Sequence, residues 1–369
     1  MQIKRNILLN PGPATTTDSV KMAQVVPDIC PREKEFGDVM EYISSSLTKI
    51  AGGDANYTTV LLAGSGTAAM DAMINSVVPE NKKILIINNG AYGDRMAKIA
   101  RAYSIGLVEI KYDWSVFPRL SEIEEVLKSD TEIACLGMVH HETTTGMLNP
   151  VKEAGELCKK YGKTFLVDSI SSFAGIPFSI QDYGIDFMAS TSNKCIQGMA
   201  GCAFVICKTE SLLKTKTYQP RSFYLNLYSQ YEYFIKTRQM QFTPPVQILY
   251  ALKKAIEEFF QEGSQNRHNR YLENWKCLIE GMKKLGFKKL LDDRYESHIL
   301  TTFHYPASAA FDFDTMHDLL YKEGFTIYPG KIGGKDTFRL ANMGDINCQD
   351  MKEFCHILEK VLKQMGVLS

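Results

Sequence analysis

The chain carries no excess charge of either sign: 42 lysines and arginines balance 42 aspartates and glutamates over 369 residues. It therefore lacks the basic excess of a general nucleic-acid binder, and no nucleic-acid partner is expected. Long apolar runs are missing too. Stretches such as Ile84–Ile87 and Phe165–Val167 fall far short of the roughly 18 residues that suggest a membrane helix. The N-terminal MQIKRNILLNPGP has too short an apolar stretch for a signal peptide. Cysteine shows no framework pattern: there are nine, an odd number, with no CxxC pair. Reduced thiols in a cytoplasmic protein are expected, not a disulfide scaffold. Cys195, Cys202 and Cys207 have no histidine at ligand spacing, which disfavours zinc, and no metal is expected. No internal repeat or low-complexity segment stands out.

What is present is globular. Hydrophobic residues make up 45% and charged residues 23%, which excludes disorder and coiled coil. The length suggests two domains, or one large α/β unit with an appendage. From residue 55 to about 210, short apolar runs alternate with helical patterns. TTVLLA (58–63) reads as a strand, and Met70, Met73, Ile74 and Val77 mark one face of the helix after it. KILIINN, GLVEIKY, EIACLGMVH, KTFLVDS, DFMASTS and AFVICK continue the series. Such alternation implies βαβ crossovers and a mostly parallel sheet with helices on both faces.

The C-terminal third reads differently. PPVQILYALKKAIEEFFQEG (244–263) looks like a long helix that begins with proline. Another helix carries Tyr271, Trp275, Leu278, Met282 and Leu285. The strand HILTTFHY, the helix DFDTMHDLLYKEG, the short strands FTIYP and DTFRLA, and a last helix then form a small α+β unit. The expected division is 15–250 for the large domain and 251–369, with 1–14 packing nearby, for the small one.

Four features could carry chemistry. Ser65-Gly66-Thr67 lies between a strand and a helix, where free N–H groups and the helix dipole favour a phosphate. A glycine turn with no ligand would read the same way, and the pattern is neither a Rossmann nor a P-loop fingerprint. Asp168 ends a buried strand, the position at which open α/β sheets place ligands. It would need a cationic partner, or else it is an N-cap. Lys194 follows Thr191-Ser192-Asn193 at another strand end. It is a candidate amine for attack on an aldehyde, or a solvated surface charge. Arg339 in FRLAN could hold a carboxylate or phosphonate bidentately, or lie on a strand surface. Taken together, phosphate turn, strand-end acid and lysine supply what pyridoxal phosphate needs.

The order GSGT, NGAYGDR, HHETTTG, VDSISSFAG, SNKCIQG, FTPPV, FRLANMG resembles the class V aminotransferases of the fold-type I pyridoxal-phosphate family, over essentially the whole chain. The resemblance implies pyridoxal 5'-phosphate as cofactor and an α/β fold with a small C-terminal domain. DICPREKEFG and HETTTGMLNP look most like the branch that transfers an amino group from 2-aminoethylphosphonate to pyruvate. By that resemblance, Lys194 is the amine joined to the cofactor and also the general base and acid. Asp168 pairs with the ring nitrogen. Ser65, Gly66 and Thr67 hold the phosphate, with Ser192 beside them. Tyr92 covers the ring and Thr143 lies near it. Thr243 reaches the cofactor phosphate of a second subunit, which implies a homodimer. Arg339 takes the substrate anion.

Rival readings remain open on the sequence. Alanine–glyoxylate or serine–pyruvate transaminases share these residues. Cysteine desulfurase needs a mobile cysteine, but GFTIYPGKIGGKDTF (324–338) has none, and Asn193 stands where those enzymes have histidine. A non-catalytic binding protein on the same fold would not need both Asp168 and Lys194. His141 could be structural or an acid–base group, and Arg32 could shape an anion pocket.

Overall fold

The computed structural model describes residues 4–330 and 336–369. Its centre is a seven-stranded sheet. From one edge to the other the strands are Tyr57–Ala63, Cys202–Lys208, Phe187–Thr191, Thr164–Asp168, Ile133–Val139, Lys83–Asn88 and Gly106–Lys111. Only Cys202–Lys208 runs antiparallel to its neighbours. The strands expected between residues 58 and 208 all form, and the mostly parallel sheet is the one the alternation implies.

Each strand of the sheet interior is apolar on both sides because both faces are covered. Leu85, Ile87, Phe165 and Val167 face one way, against Phe36, Ile43 and Leu47 of the helix Lys34–Ile50 and Leu252 and Ile256 of the helix Val246–Glu262. Ile84, Ile86 and Leu166 face the other way, against Met70, Met73 and Ile74 of the helix Gly66–Val77 and Met96 of the helix Ala91–Ala102. The side-chain alternation of a strand produces this division directly.

A three-stranded sheet follows, ordered Leu300–His304, Thr337–Ala341, Tyr328–Pro329. Its core joins Ile7 and Leu9 to Leu278, Phe303, Phe338, Phe354 and Leu358. FTIYP splits in two: Phe325–Thr326 pairs in parallel with Ile7–Leu8, and Tyr328–Pro329 pairs with Thr337–Ala341. The long helix ends at Glu262. Gly263, at φ 83°, turns the chain into a separate helix, Ser264–Lys284.

The expectation of nine reduced cysteines is corrected. Cys277 and Cys348 are disulfide-bonded, with Cα atoms 5.7 Å apart. They lie 71 residues apart in sequence. The packing of the helix Ser264–Lys284 against the helix Cys348–Gln364 brings them together. Five of the free thiols, Cys135, Cys158, Cys195, Cys202 and Cys207, are buried and serve as small apolar side chains. Among the described residues no helix is long and apolar enough to cross a membrane.

Candidate active site

The candidate residues follow the carboxyl ends of five strands that point the same way: Tyr57–Ala63, Lys83–Asn88, Ile133–Val139, Thr164–Asp168 and Phe187–Thr191. This edge is the general ligand site of open α/β sheets.

Asp168 is 3% exposed. Its Oδ1 accepts the Ile170 N–H at 2.8 Å, while its Oδ2 is buried without a partner. Burial pushes its carboxyl up from 3.8 to about 7; the Ile170 N–H opposes this, Glu142 adds to it, and Arg95 and Lys194 oppose it. A buried acceptor with one open oxygen fits a cationic N–H such as a protonated ring nitrogen.

Lys194 is half-buried in the turn after Phe187–Thr191. Its Nζ donates to the Pro11 carbonyl. Gly12, at φ 132°, lies against the same side chain, and a Cβ there would overlap it. Position 12 therefore has no room for a side chain, and the Pro11 carbonyl beside it engages the amine. Ser192 is buried, and its hydroxyl donates to the carbonyls of Met199 and Cys202. Its one hydrogen is committed to that turn, leaving only its lone pairs for a ligand.

Ser65 is exposed at the N-cap of Gly66–Val77 and makes no side-chain cap bond. Gly66 packs so tightly on Ile170 that a Cβ would come within 2.9 Å of that side chain. Thr67 accepts from Arg95 Nη1 at 3.1 Å. The turn thus offers a helix N-terminus flanked by hydroxyls and one guanidinium, which suits a phosphate ester.

Tyr92 lies in the first turn of Ala91–Ala102, with the Arg95 guanidinium 4.9 Å from its ring centre. Its side chain hydrogen-bonds Arg339. Arg339 is 1% exposed on the central strand of the three-stranded sheet. Its Nε donates to the Pro329 carbonyl at 3.1 Å and its Nη1 to the Thr143 carbonyl at 3.2 Å. These partners orient the guanidinium without neutralising it. Burial lowers its pKa from 12.5, and Tyr92 and Glu142 oppose that. Thr143 is buried beside Ser171, 3.5 Å from hydroxyl to hydroxyl.

Two candidates fall elsewhere. Arg32 is exposed and bonds the Met240 carbonyl at 2.8 Å and Gln239 at 3.1 Å. Thr243 is exposed just before Val246–Glu262. His141 is buried with both ring nitrogens engaged, by Ser171 at 3.0 Å and Ser297 at 2.9 Å. Burial, with help from His140 and Lys194, pushes its pKa down to about 3, so it is a neutral structural bridge. Sequence reasoning did not single out Pro11, Arg95, Glu142 or Thr144. The strings NGAYGDR and HETTTG contain three of them, but nothing in those strings assigns a role. Residues 331–335 of the cysteine-free stretch 324–338 lie outside the described residues.

A helix N-terminus suited to an anion, an oriented amine and a buried acid with an open oxygen thus share one edge of the seven-stranded sheet. Arg339 reaches that edge from the three-stranded sheet through the Thr143 carbonyl, an arrangement that could handle an amine on an anionic substrate. The family Aminotransferase class-V matches residues 20–334. A 2-aminoethylphosphonate–pyruvate transaminase of Bacteroides fragilis is 40% identical over 362 residues, 97% of this chain and 99% of that protein. One from Bacillus cereus is 41% identical over 96% of this chain and 97% of its own. Among solved structures, an alanine–glyoxylate aminotransferase from Nostoc sp. superposes with a TM-score of 0.89 at 28% identity. That match covers 99% of this chain and 96% of the other. The chain belongs to the class-V aminotransferases.

Proposed function

We propose that the protein is a pyridoxal-phosphate-dependent transaminase that converts 2-aminoethylphosphonate and pyruvate to phosphonoacetaldehyde and alanine. The observation that carries the chemistry is that Lys194 and Asp168, with its open Oδ2, stand at the carboxyl edge of the seven-stranded sheet, while Arg339 bonds the Thr143 carbonyl at that same edge from the three-stranded sheet. The choice of substrate is supported by relatives of that name aligned over 97% of the chain. When bound, pyridoxal phosphate supplies an aldehyde that exchanges amines and a ring that accepts electrons.

The chain's own residues do the rest. The open Oδ2 of Asp168 would accept the N–H of a protonated ring nitrogen. The Lys194 amine, steadied by the Pro11 carbonyl, takes the proton from the donor's amine-bearing carbon and later delivers one to the acceptor's. Arg339 binds the phosphonate of one substrate and the carboxylate of the other in turn. The first turn of Gly66–Val77, with Ser65, Thr67 and Arg95, anchors the phosphate ester. Tyr92 and Thr143 would line the part of the site that takes the ring.

A homodimer completes this reading. Thr243 adjoins an exposed aromatic group: Phe223 is 82% exposed, and Phe242 stacks on Tyr224 with ring centres 4.8 Å apart. A second copy would cover that patch and bring Thr243 to the other site. Residues 15–250 and 251–369, the latter with 1–14, act in this scheme as two units, and seven free thiols against the one disulfide Cys277–Cys348 favour the cytoplasm.

The deciding experiment compares pyruvate-dependent consumption of 2-aminoethylphosphonate with glyoxylate-dependent consumption of alanine or serine. Alanine formed from pyruvate with 2-aminoethylphosphonate supports the proposal. An inert phosphonate with active glyoxylate transfers the protein to the alanine–glyoxylate type.

A further inference from the structure

We propose that Glu142 is a positioning residue that sets where Tyr92, and through it Arg339, stand in the active site. The proposal rests on the reading that Tyr92 covers the cofactor. Glu142 has no exposed surface, and it ends the short strand His141–Glu142. Its carboxylate lies at the start of the helix Ala91–Ala102, about fifty residues away in sequence. There it accepts the Tyr92 N–H at 3.3 Å and the Gly93 N–H at 3.2 Å. It also accepts the N–H of Thr144 at 3.1 Å and the Thr144 hydroxyl. The Thr144 Oγ1 in turn accepts the Ala91 N–H at 2.9 Å. The first three N–H groups of the helix therefore end on Glu142 and Thr144. The helix's own N-cap, Gly90, has no side chain to offer, and a Cβ there would overlap the Glu142 carboxyl.

This cap controls more than a helix end. Tyr92 belongs to the capped turn, and its side chain reaches Arg339 on one side and Arg95 on the other. Arg95 then reaches Thr67 in the phosphate turn. Thr143, the next residue after Glu142, gives its carbonyl to Arg339. One buried acid thus sits behind both the ring cover and the anion site without touching either ligand. An amide cannot replace it. Among the described residues, Oε1 meets the donors of Thr144 and Tyr92, and Oε2 those of Gly93 and Tyr92. A glutamine NH₂ would face N–H or O–H groups whichever way it turned.

The test is a double-mutant cycle on the full chain with Glu142→Gln and Tyr92→Leu. The dissociation constant of pyridoxal phosphate and its visible circular dichroism are read first, because neither depends on the substrate assignment. KM and kcat for pyruvate are read second. Glu142→Gln should weaken cofactor binding about tenfold, diminish the dichroic band, and raise KM more than it lowers kcat. In the Tyr92→Leu background the same change should add less than about twofold. Full additivity with an unaltered dichroic band in Glu142→Gln overturns the proposal. If Glu142→Gln does not yield folded protein, Thr144→Val, a near-isosteric change at the same cap, carries the same cycle. Its expected effect is about threefold, and full additivity with Tyr92→Leu again overturns the proposal. A wild type that binds no pyridoxal phosphate ends the underlying reading before any variant is made. Additivity with wild-type binding intact ends only the role of Glu142.

Discussion

Replacing Asp168 by asparagine should change the protein in opposite directions with and without its cofactor. Without cofactor the carboxyl is 3% exposed, and burial pushes it up from 3.8 to about 7. A rise of about three units corresponds to about 4 kcal/mol against the ionised form. The folded value lies above the unfolded one, so the folded state keeps the proton longer. The penalty is absent below pH 4, grows through the interval, and is complete above about pH 7. Asparagine keeps an oxygen for the Ile170 N–H and carries no charge. The cofactor-free variant should therefore melt several degrees above cofactor-free wild type at pH 8, and the gap should shrink or reverse at pH 4. With pyridoxal phosphate the order inverts, because the open Oδ2 loses its charged pairing with the ring nitrogen. Breaking a buried ion pair costs about 3 kcal/mol or more, so cofactor affinity should fall about a hundredfold or more. Thermal melting at the two pH values, with and without cofactor, measures both signs. A cofactor-free variant no more stable than wild type at pH 8, or one with wild-type cofactor affinity, would refute the reasoning.

Other outcomes follow from the same geometry. Lys194→Ala should abolish turnover and the visible band that the bound cofactor shows in wild type, with little change in melting; normal transamination by this variant would sink the assignment. Arg339→Lys keeps the charge but loses the bidentate fork, so both half-reactions should lose about 10–150-fold in kcat/KM; a loss confined to one substrate would mean that a second cation holds the other anion. Lys194→Ala and Thr243→Tyr subunits, each inactive alone, should recover partial activity when mixed, whereas a fully active monomer at nanomolar dilution would contradict a shared site. Unfolded protein should titrate as seven thiols before reduction, the nine cysteines less Cys277 and Cys348, and as nine after it; nine before reduction would exclude the bridge.

The sheet was legible because its signal is local. Each strand alternates between two covered faces, so Ile84–Ile87 and Phe165–Val167 appear as unbroken apolar runs, and polar turns interrupt them at the ligand edge. Asp168 and Lys194 could be picked out for the same reason: each is a charged residue at or just past the end of a buried strand. Contacts across the sequence were not legible. Nothing near Cys277 points to Cys348, and nothing near Tyr92 points to Glu142. Both pairings depend on how helices and short strands pack after the chain has closed on itself. The split of FTIYP has a similar origin, since its two halves answer to partners at opposite ends of the chain, Ile7–Leu8 and Thr337–Ala341.

The N-terminal segment shows why a residue can matter through its backbone alone. Leu9 donates its N–H to the Thr326 carbonyl, and its own carbonyl accepts the Ala341 N–H, two residues beyond Arg339. Two residues later the Pro11 carbonyl receives the Lys194 amine, and the Ala14 N–H bonds the Asn193 carbonyl. A few consecutive residues thus tie the strand that carries Arg339 to the turn that carries the Lys194 amine. Movement of the three-stranded sheet against the seven-stranded one must therefore strain the Lys194 position or break this segment. Distance between amine and anion site is what separates a substrate with its anion on the reacting carbon from one with its anion a carbon further on. If Arg339 serves both, that distance has to adjust, and the tie from Leu9 to Ala14 is the segment that such an adjustment would strain.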